Sequence, residues 1–418
     1  MSAVPPPHTL PRTARDVFHL RPRDRLLYGA VIAFAERTGR WQAPVPASGD
    51  LETMTFWDKA YWLYKASRPI EVAERGSGLE AYFAAQASHR WSLPEGFRPA
   101  CRVGLSAAGD LMQHPYLHRS GETLYDEVRE VLFDSDLAMA NLECVVMDGT
   151  RGDLAFSPTA GPALHLDPRE FDIVRGASAG GFGFLATACN HSLDFGPDGV
   201  DATIRALRDR GVAHHGTNAR EADAEVPTVL DLRGVRIGVV AHCFGLNAYQ
   251  PPADRPRIVN RANLNAPLAD VDLSLVDRQL EGCRQQEVDL VVAHLHWGME
   301  HERYPRQTQV DLAHALAERG VDLILGHHPH VAQPVEFYRT RRDPDRVVPI
   351  YYSLGNLTNP FTAPFLCRSL VARVELVKGR RADGEVRTYV ARAGAESVRQ
   401  VVDADRRALR LLPDGKSA

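Results

Sequence analysis

The sequence predicts an α/β layered domain preceded by a helical extension, and three observations carry that reading. From Arg102 onward, short apolar runs alternate with amphipathic ones, as strands and helices do when they stack in layers. Residues 23–89 instead have a helical, aromatic-rich texture, with Phe34, Trp41, Phe56, Trp57, Tyr61 and Trp62 among them. After about Pro360 the chain reads as strands and turns. The expected organisation is an N-terminal helical extension over 1–99, a main domain over 100–360, and a β-rich segment over 361–418 that completes it.

Taken in order, MSAVPPPHTLPRTARD is rich in proline and lacks an apolar core of signal-peptide length, so residues 1–20 are expected to be flexible or draped over the surface. Leu26–Ala35 is apolar but interrupted by Tyr28 and Gly29, and it falls short of the roughly 20 apolar residues a bilayer span needs. Neither secretion nor a membrane span is expected, and a cytoplasmic location follows as the default. In WDKAYWLYKA, Trp57, Tyr61 and Tyr64 have helical i, i+4, i+7 spacing, a stripe expected to pack against the main domain. WSLPEGFRP at Trp91–Pro99 reads as a linker.

Beyond it come VGLSAAGD, a helix near Leu124–Leu132, DLAMANLE, GFLATACN, and a helix near Pro197–Arg210. The last has proline in its first turn, Val200, Ile204 and Leu207 on one face, and Gly211 as its stop. RIGVVAH, a helix near Asp270–Gln286, VDLVVAHLHWG, a helix near Pro305–Arg319 stopped by Gly320, VDLILGHHPH and VPIYYSLGN follow. SLVARVELV then leads into a GRRADGE turn.

Composition narrows the class. A 418-residue chain that is 44% hydrophobic and 24% charged has material for a large core. Its formal charge of −4, with pI near 6.5, gives no overall electrostatic case for nucleic acid or a membrane surface, so an anionic substrate would have to be recognised locally. The six cysteines show no CxxC spacing and lie mostly in apolar runs, which fits reduced, buried thiols better than a disulfide framework or a thiolate zinc site. Nothing in the sequence fixes an oligomeric state.

The chemistry sits where the strands end. VGLSAAGD closes on Asp110, DLAMANLE on Asn141 and Glu143, GFLATACNH on Asn190 and His191, VVAHLHWG on His294 and His296, and LILGHHPH on His328 and His330. Ligands of open α/β sheets gather at the carboxyl ends of strands, so these residues should converge. Asp, Glu, Asn and several His form a mixed nitrogen and oxygen set, which suits Mn²⁺, Fe or Zn²⁺ better than Ca²⁺ or Mg²⁺. His328 and His330, two apart in extended backbone with Pro329 fixing φ between them, would project to one side. A buried Glu143 would need a cation or a full set of hydrogen bonds.

GDLM at Gly109–Met112, NLE at Asn141–Glu143, CNHSLDFGPDG at Cys189–Gly199, HHGTN at His214–Asn218, HLHWGMEH at His294–His301, LGHHPHVAQPVE at Leu325–Glu336 and YYSLGN at Tyr351–Asn356 resemble, in that order, the motifs of the CapA family. These are bacterial capsule or poly-γ-glutamate biosynthesis proteins of the calcineurin-like metallophosphoesterase superfamily. The resemblance covers about 100–360 and does not extend to residues 1–99. It implies a four-layered α/β/β/α sandwich and two divalent metal ions (Mn, Zn or Fe). By the same resemblance Asp110 and His330 would bind the first ion, Asn190, His296 and His328 the second, and Glu143 would bridge them. His191 resembles the histidine that protonates the leaving group, with Asp194 orienting it.

Met112 departs from the superfamily, where many members have histidine, so the first metal site would be weak, or completed by a neighbour such as His114 or His294. His327 has no assigned role beyond support or packing. Arg255 and Arg257 in the His242–Arg261 loop, which also holds Asn247 and Tyr249, and His301 with Glu302 and Arg303 are the candidate substrate contacts. The expected function is metal-dependent hydrolysis of a phosphoester or an amide/γ-glutamyl bond in a small-molecule or γ-glutamyl substrate. The alternative is a non-catalytic metal-binding accessory protein for polymer synthesis or export. The aromatic extension is expected to pack beside the strand ends and narrow the entrance to them.

Overall fold

The computed structural model describes residues 5–17, 20–148, 155–157 and 161–415. Within them two sheets lie face to face. The first has β1 (Arg98–Leu111), β2 (Leu137–Leu142), β3 (Phe184–Ala186) and β4 (Ala213–His215) as successive parallel neighbours. The second runs β5 (Thr228–Leu232), β6 (Val235–Cys243), β7 (Leu290–His296) and β8 (Leu323–His327), then β10 (Val347–Tyr351) and β9 (Val335–Arg339), with β6, β7, β8 and β10 parallel and an antiparallel strand at each edge. The late chain returns to the first sheet: β11 (Asn356–Thr358) pairs parallel with β1, and β12 (Arg368–Arg380), β13 (Val386–Asp403) and β14 (Ala408–Pro413) extend it antiparallel.

Alternation along the strands builds the layers. On β7, Leu290 and Val292 join the core between the sheets, together with Val103, Leu105, Met139, Ile237, Val239, Leu323 and Leu325. Val291, Ala293 and Leu295 face outward onto α5 (Ser274–Gln285) and α6 (Gln307–Arg319). The first sheet's outer face meets Leu132, Phe171, Val174 and Leu207, the last from α4 (Gly196–Asp209). The order is therefore α/β/β/α, as the resemblance implies. Pro197 does open α4, and Gly211 follows its end at φ +65°. The expected helix near Leu124–Leu132 shrinks to Arg129–Phe133, and the linker gives way early, because β1 already begins at Arg98.

The extension supplies α1 (Pro22–Thr38), α2 (Phe56–Lys65) and α3 (Leu79–Gln86). Thr55 caps α2 in a reciprocal box with Asp58. The aromatic stripe is only partly inward: Tyr61 and Tyr64 are buried, but Trp57 is 57% exposed, because α2 turns toward solvent at its first turn. Met1–Val4 of the proline-rich start lie outside the described residues. Farther on, the Pro11 and Arg12 carbonyls accept from the Thr362 and Ala363 amides, which drapes this segment over the loop between β11 and β12. All six cysteines are free. Among the described residues no helix is long and apolar enough to cross a membrane.

Candidate metal centre

On β1 the inward face is set by Val103, Leu105 and Ala107, so strict alternation would turn Asp110 outward. A bulge prevents this. Between Ala107 and Asp110, β1 has one residue more than the facing Met139–Asn141 of β2, and the extra residue restores Asp110 to the inner face. Gly109 makes the bulge possible: a Cβ there would lie 1.8 Å from the Gly355 carbonyl oxygen, which accepts the Asp110 amide at 2.9 Å.

Asn141 donates from Nδ2 to Asp110 Oδ1 at 2.8 Å. Asp110 Oδ1 also lies 3.2 Å from His327 Nδ1, and His327 Nε2 lies 3.2 Å from His294 Nδ1, the two rings stacked at 3°. His294 thus reaches Asp110 only through His327. His114, the other neighbour considered for the first ion, accepts the Tyr116 amide at Nδ1 and stays in its own turn.

The expectation that His328 and His330 share a side through extended backbone is corrected. β8 ends at His327, and both residues take left-handed φ, 97° and 58°. The turn is fastened instead by the His328 amide to Asp110 Oδ2 at 3.3 Å and by the His301 amide to the Pro329 carbonyl at 2.8 Å. Both imidazoles nevertheless face Glu143. Ligand-type atoms of Glu143, His328 and His330 lie within 4.8 Å of one another, and so do those of Asp110, Glu143 and His296. Glu143 is common to both groups. This grouping pairs His330 with His328, whereas the resemblance pairs it with Asp110.

Asn190 joins through its Oδ1, 2.8 Å from His296 Nε2, and His330 Nδ1 lies 2.8 Å from Asn356 Oδ1. The sequence reading gave Asn356 no role, although SLGN was among its motifs.

Electrostatics separate these groups. Burial opposes the Asp110 carboxylate, but the His327 and His330 imidazoles facing it outweigh burial and hold the group well below the usual carboxylate range. Burial, with the Asp110 charge beside it, pushes Glu143 well above that range. His296, His328 and His301 are held neutral, well below ordinary histidine, first by burial. Both Glu143 oxygens and both His328 nitrogens lack any hydrogen-bond partner. A buried carboxylate and a buried imidazole without partners, 0% and 1% exposed, are what a cation would satisfy. The donor set therefore fits divalent metal.

Beside the cluster, His191 Nδ1 lies 2.7 Å from Asp194 Oδ2, which also accepts the Leu164 amide, leaving His191 Nε2 3.5 Å from Asn247 Nδ2. Asn247 bonds Asn190 as well. The two arginines of that loop are engaged elsewhere: Arg255 forks onto Asp201, and Arg257 pairs with Glu221 and Glu225. His301 is buried 6.1 Å from the His330 ring. Glu302 and Arg303 face the extension and not the rim, Glu302 pairing with Lys65 and Arg306 and Arg303 with Glu71.

Sequence reasoning passed over Glu300, which accepts from Trp62 Nε1 at 2.8 Å. Tyr61, Trp62, Lys65, Met299, Glu300 and His328 line one cavity, so α2 does reach the strand ends. A separate half-exposed group, His118, Asp167 and Glu170, spends its carboxylates capping the short Pro168–Val174 helix.

The family model described as "Bacterial capsule synthesis protein PGA_cap" matches residues 104–360. The chain belongs to this family. Among its relatives, capsule biosynthesis protein CapA of Bacillus anthracis is 27% identical over 261 residues, covering 61% of this chain and 59% of that protein. PGA biosynthesis protein CapA of Bacillus subtilis is 24% identical over 261 residues, covering 61% and 62%. The match thus spans about three-fifths of the curated relatives' length. Among solved structures, sulfate thiohydrolase SoxB of Thermus thermophilus aligns at 14% identity and TM-score 0.33, covering 74% of this chain and 56% of that one.

Proposed function

We propose that the chain is a metal-dependent hydrolase of CapA type. It acts on a phosphoester or an amide/γ-glutamyl bond in the making of capsule, poly-γ-glutamate or a related polymer. The observation that carries this reading is the unpartnered Glu143 shared by two converging groups of imidazole and carboxylate. In it Asp110, Glu143, Asn190, His296, His328 and His330 hold two divalent ions, and the mixed donors favour Mn, Zn or Fe. Such ions supply a Lewis acid for the phosphoryl or carbonyl oxygen and lower the pKa of a bound water.

The protein's own groups do the rest. Asp194 accepts from His191 Nδ1–H, so Nε2 is the atom that takes up a proton and passes it to the leaving group. Asn141 and His327 hold the Asp110 carboxylate from one side, and the Gly355 carbonyl fixes its backbone. Phe244, with its ring 4.5 Å from that of His328, keeps water off that side of the cluster. Arg255 and Arg257 carry no substrate role here, because their guanidinium groups are already paired; His301 and Glu300 border the approach instead.

Metal analysis and a panel of phosphoesters and γ-glutamyl amides with Mn²⁺, Zn²⁺ and Fe²⁺ test this. Wild type should hold about two ions and turn over one class, and His328→Ala should lose metal and turnover together; unchanged metal content in the variant would sink the assignment. Met112, packed in the apolar cluster on the sheet's outer side, favours a second reading, an accessory protein that binds metal without hydrolysis. Metal-loaded wild type inert across the whole panel would select it.

A further inference from the structure

The helix α1 has two apolar faces. Tyr28, Val31, Ile32 and Ala35 turn inward to the cluster formed with Trp41, Tyr61 and Tyr64. On the opposite side, positions 23, 26, 27, 30, 34 and 37 make one exposed stripe at helical spacing. Leu26 is 77% exposed, Leu27 50% and Phe34 58%, and the neighbouring Trp57 is 57% exposed. Of ten exposed large hydrophobic residues among the described ones, five lie on α1 and the first turn of α2, while the others are scattered over separate elements. Isolated exposed side chains need no explanation, but a contiguous patch marks an interaction surface.

The charge around this patch selects its occupant. Arg23 and Arg37 sit on the exposed stripe itself, at its two ends, about 20 Å apart by helix rise. The Arg40 guanidinium lies 5.9 Å from the Trp57 ring, and Arg21 and Arg25 are exposed beside them. Against these five arginines stand Asp24 and Glu36, and Glu36 is tied to Arg68. The segment is locally basic in a chain whose net charge is −4. A second copy docked by two-fold symmetry would set arginine against arginine. Leucine, phenylalanine and tryptophan framed by arginine match the boundary between lipid headgroups and acyl chains.

We propose that α1 and the adjoining Phe56–Trp57 corner form a docking surface for an anionic lipid bilayer, on which α1 lies flat. The surface is independent of the metal chemistry. It does bring the two into register, because the opposite side of α2 presents Trp62 and Lys65 to the cavity beside His328. A protein docked in this way works on substrate at the membrane face without spanning it.

Co-sedimentation of the full chain with vesicles tests the surface, comparing phosphatidylcholine with phosphatidylcholine containing phosphatidylglycerol. Wild type should bind the anionic vesicles, release in high salt, and bind neutral ones far more weakly. Leu26→Glu/Phe34→Glu, on the exposed stripe, should lose binding at least tenfold with an unchanged melting temperature. Arg23→Gln/Arg37→Gln should weaken it on the order of 20-fold. Absence of binding to anionic vesicles, or equal binding by the Leu26→Glu/Phe34→Glu variant, overturns the proposal. A concentration-dependent dimer in wild type that Phe34→Glu dissociates also overturns it, in favour of a second copy.

Discussion

The two sheets bring opposite chemistries to their common edge. The first delivers oxygen: Asp110 and Asn141 from β1 and β2, Glu143 just past β2, and Asn190 after β3. The second delivers nitrogen: His294 and His296 on β7, and His327, His328 and His330 at the end of β8. A neutral imidazole such as that of His296 tolerates burial, whereas a carboxylate does not, and each sheet leaves one side chain without partners, Glu143 on the first and His328 on the second. Each sheet alone is a half-site. What unites them is how tightly the pleats are registered, and that can be broken from either side.

The largest effect is expected from Glu143, which belongs to both groups. Glu143→Gln should weaken Mn²⁺ affinity more than 100-fold, beyond the 10–100-fold worth of supporting partners. It should leave the melting temperature of the metal-free protein near that of wild type, because burial already favours the protonated, uncharged acid there and glutamine keeps its shape. Calorimetric titration and thermal melts separate the two, and a fall in both would mean that Glu143 is structural.

His191→Gln should lower kcat by roughly 10²–10⁴-fold while metal content stays at the wild-type level. Loss of metal in that variant would make His191 a ligand and not a proton donor. Gly109→Ala tests the first sheet's register directly. With the Gly355 oxygen in the way it should cost about 3 kcal/mol or more in urea unfolding. Gly394→Ala, with nothing within 4 Å, should stay within about 0.5 kcal/mol of wild type.

The smallest effect concerns histidines away from the edge. His114 and His215 are lowered to about 3 and His242 to about 4, all by burial. His215 Nδ1 accepts the Ala241 amide, bridging the sheets in its neutral form. Their folded pKa values lie below the unfolded 6.5, so the unfolded chain binds more protons below that pH. Stability should be full near pH 7 and fall through the window from 6.5 toward 3, by about 2 kcal/mol for each histidine at pH 5. His215→Asn should reduce the steepness of that fall by about one proton in urea titrations at pH 7 and 5.

The contrast also shows what the chain displays in one dimension. Strand ends were legible because an apolar run that stops on Glu143 or His296 breaks composition at a fixed place. The bulge at Gly109 was not, since it depends on a carbonyl about 250 residues downstream. The left-handed turn of His328 and His330 escaped for the same reason: the His328 amide to Asp110 and the His301 amide to the Pro329 carbonyl, bonds to distant residues, help hold it. The ion pairs of Arg255 and Arg257 were not legible, because their partners, Asp201, Glu221 and Glu225, lie far enough away in sequence to leave no local sign. Net charge concealed the basic character of α1, since an average over 418 residues is blind to where arginines sit.

The bond between the Asp110 amide and the Gly355 carbonyl has a temporal side. A growing polypeptide that has reached residue 330 already possesses every proposed metal donor, yet the strand carrying the first of them still lacks the neighbour that seats it. At about 5–20 residues per second, roughly 10–50 s separate the synthesis of Asp110 from that of Gly355. Over that interval the nascent chain exposes acids and imidazoles in no fixed geometry, and selective capture of an ion belongs to the finished domain.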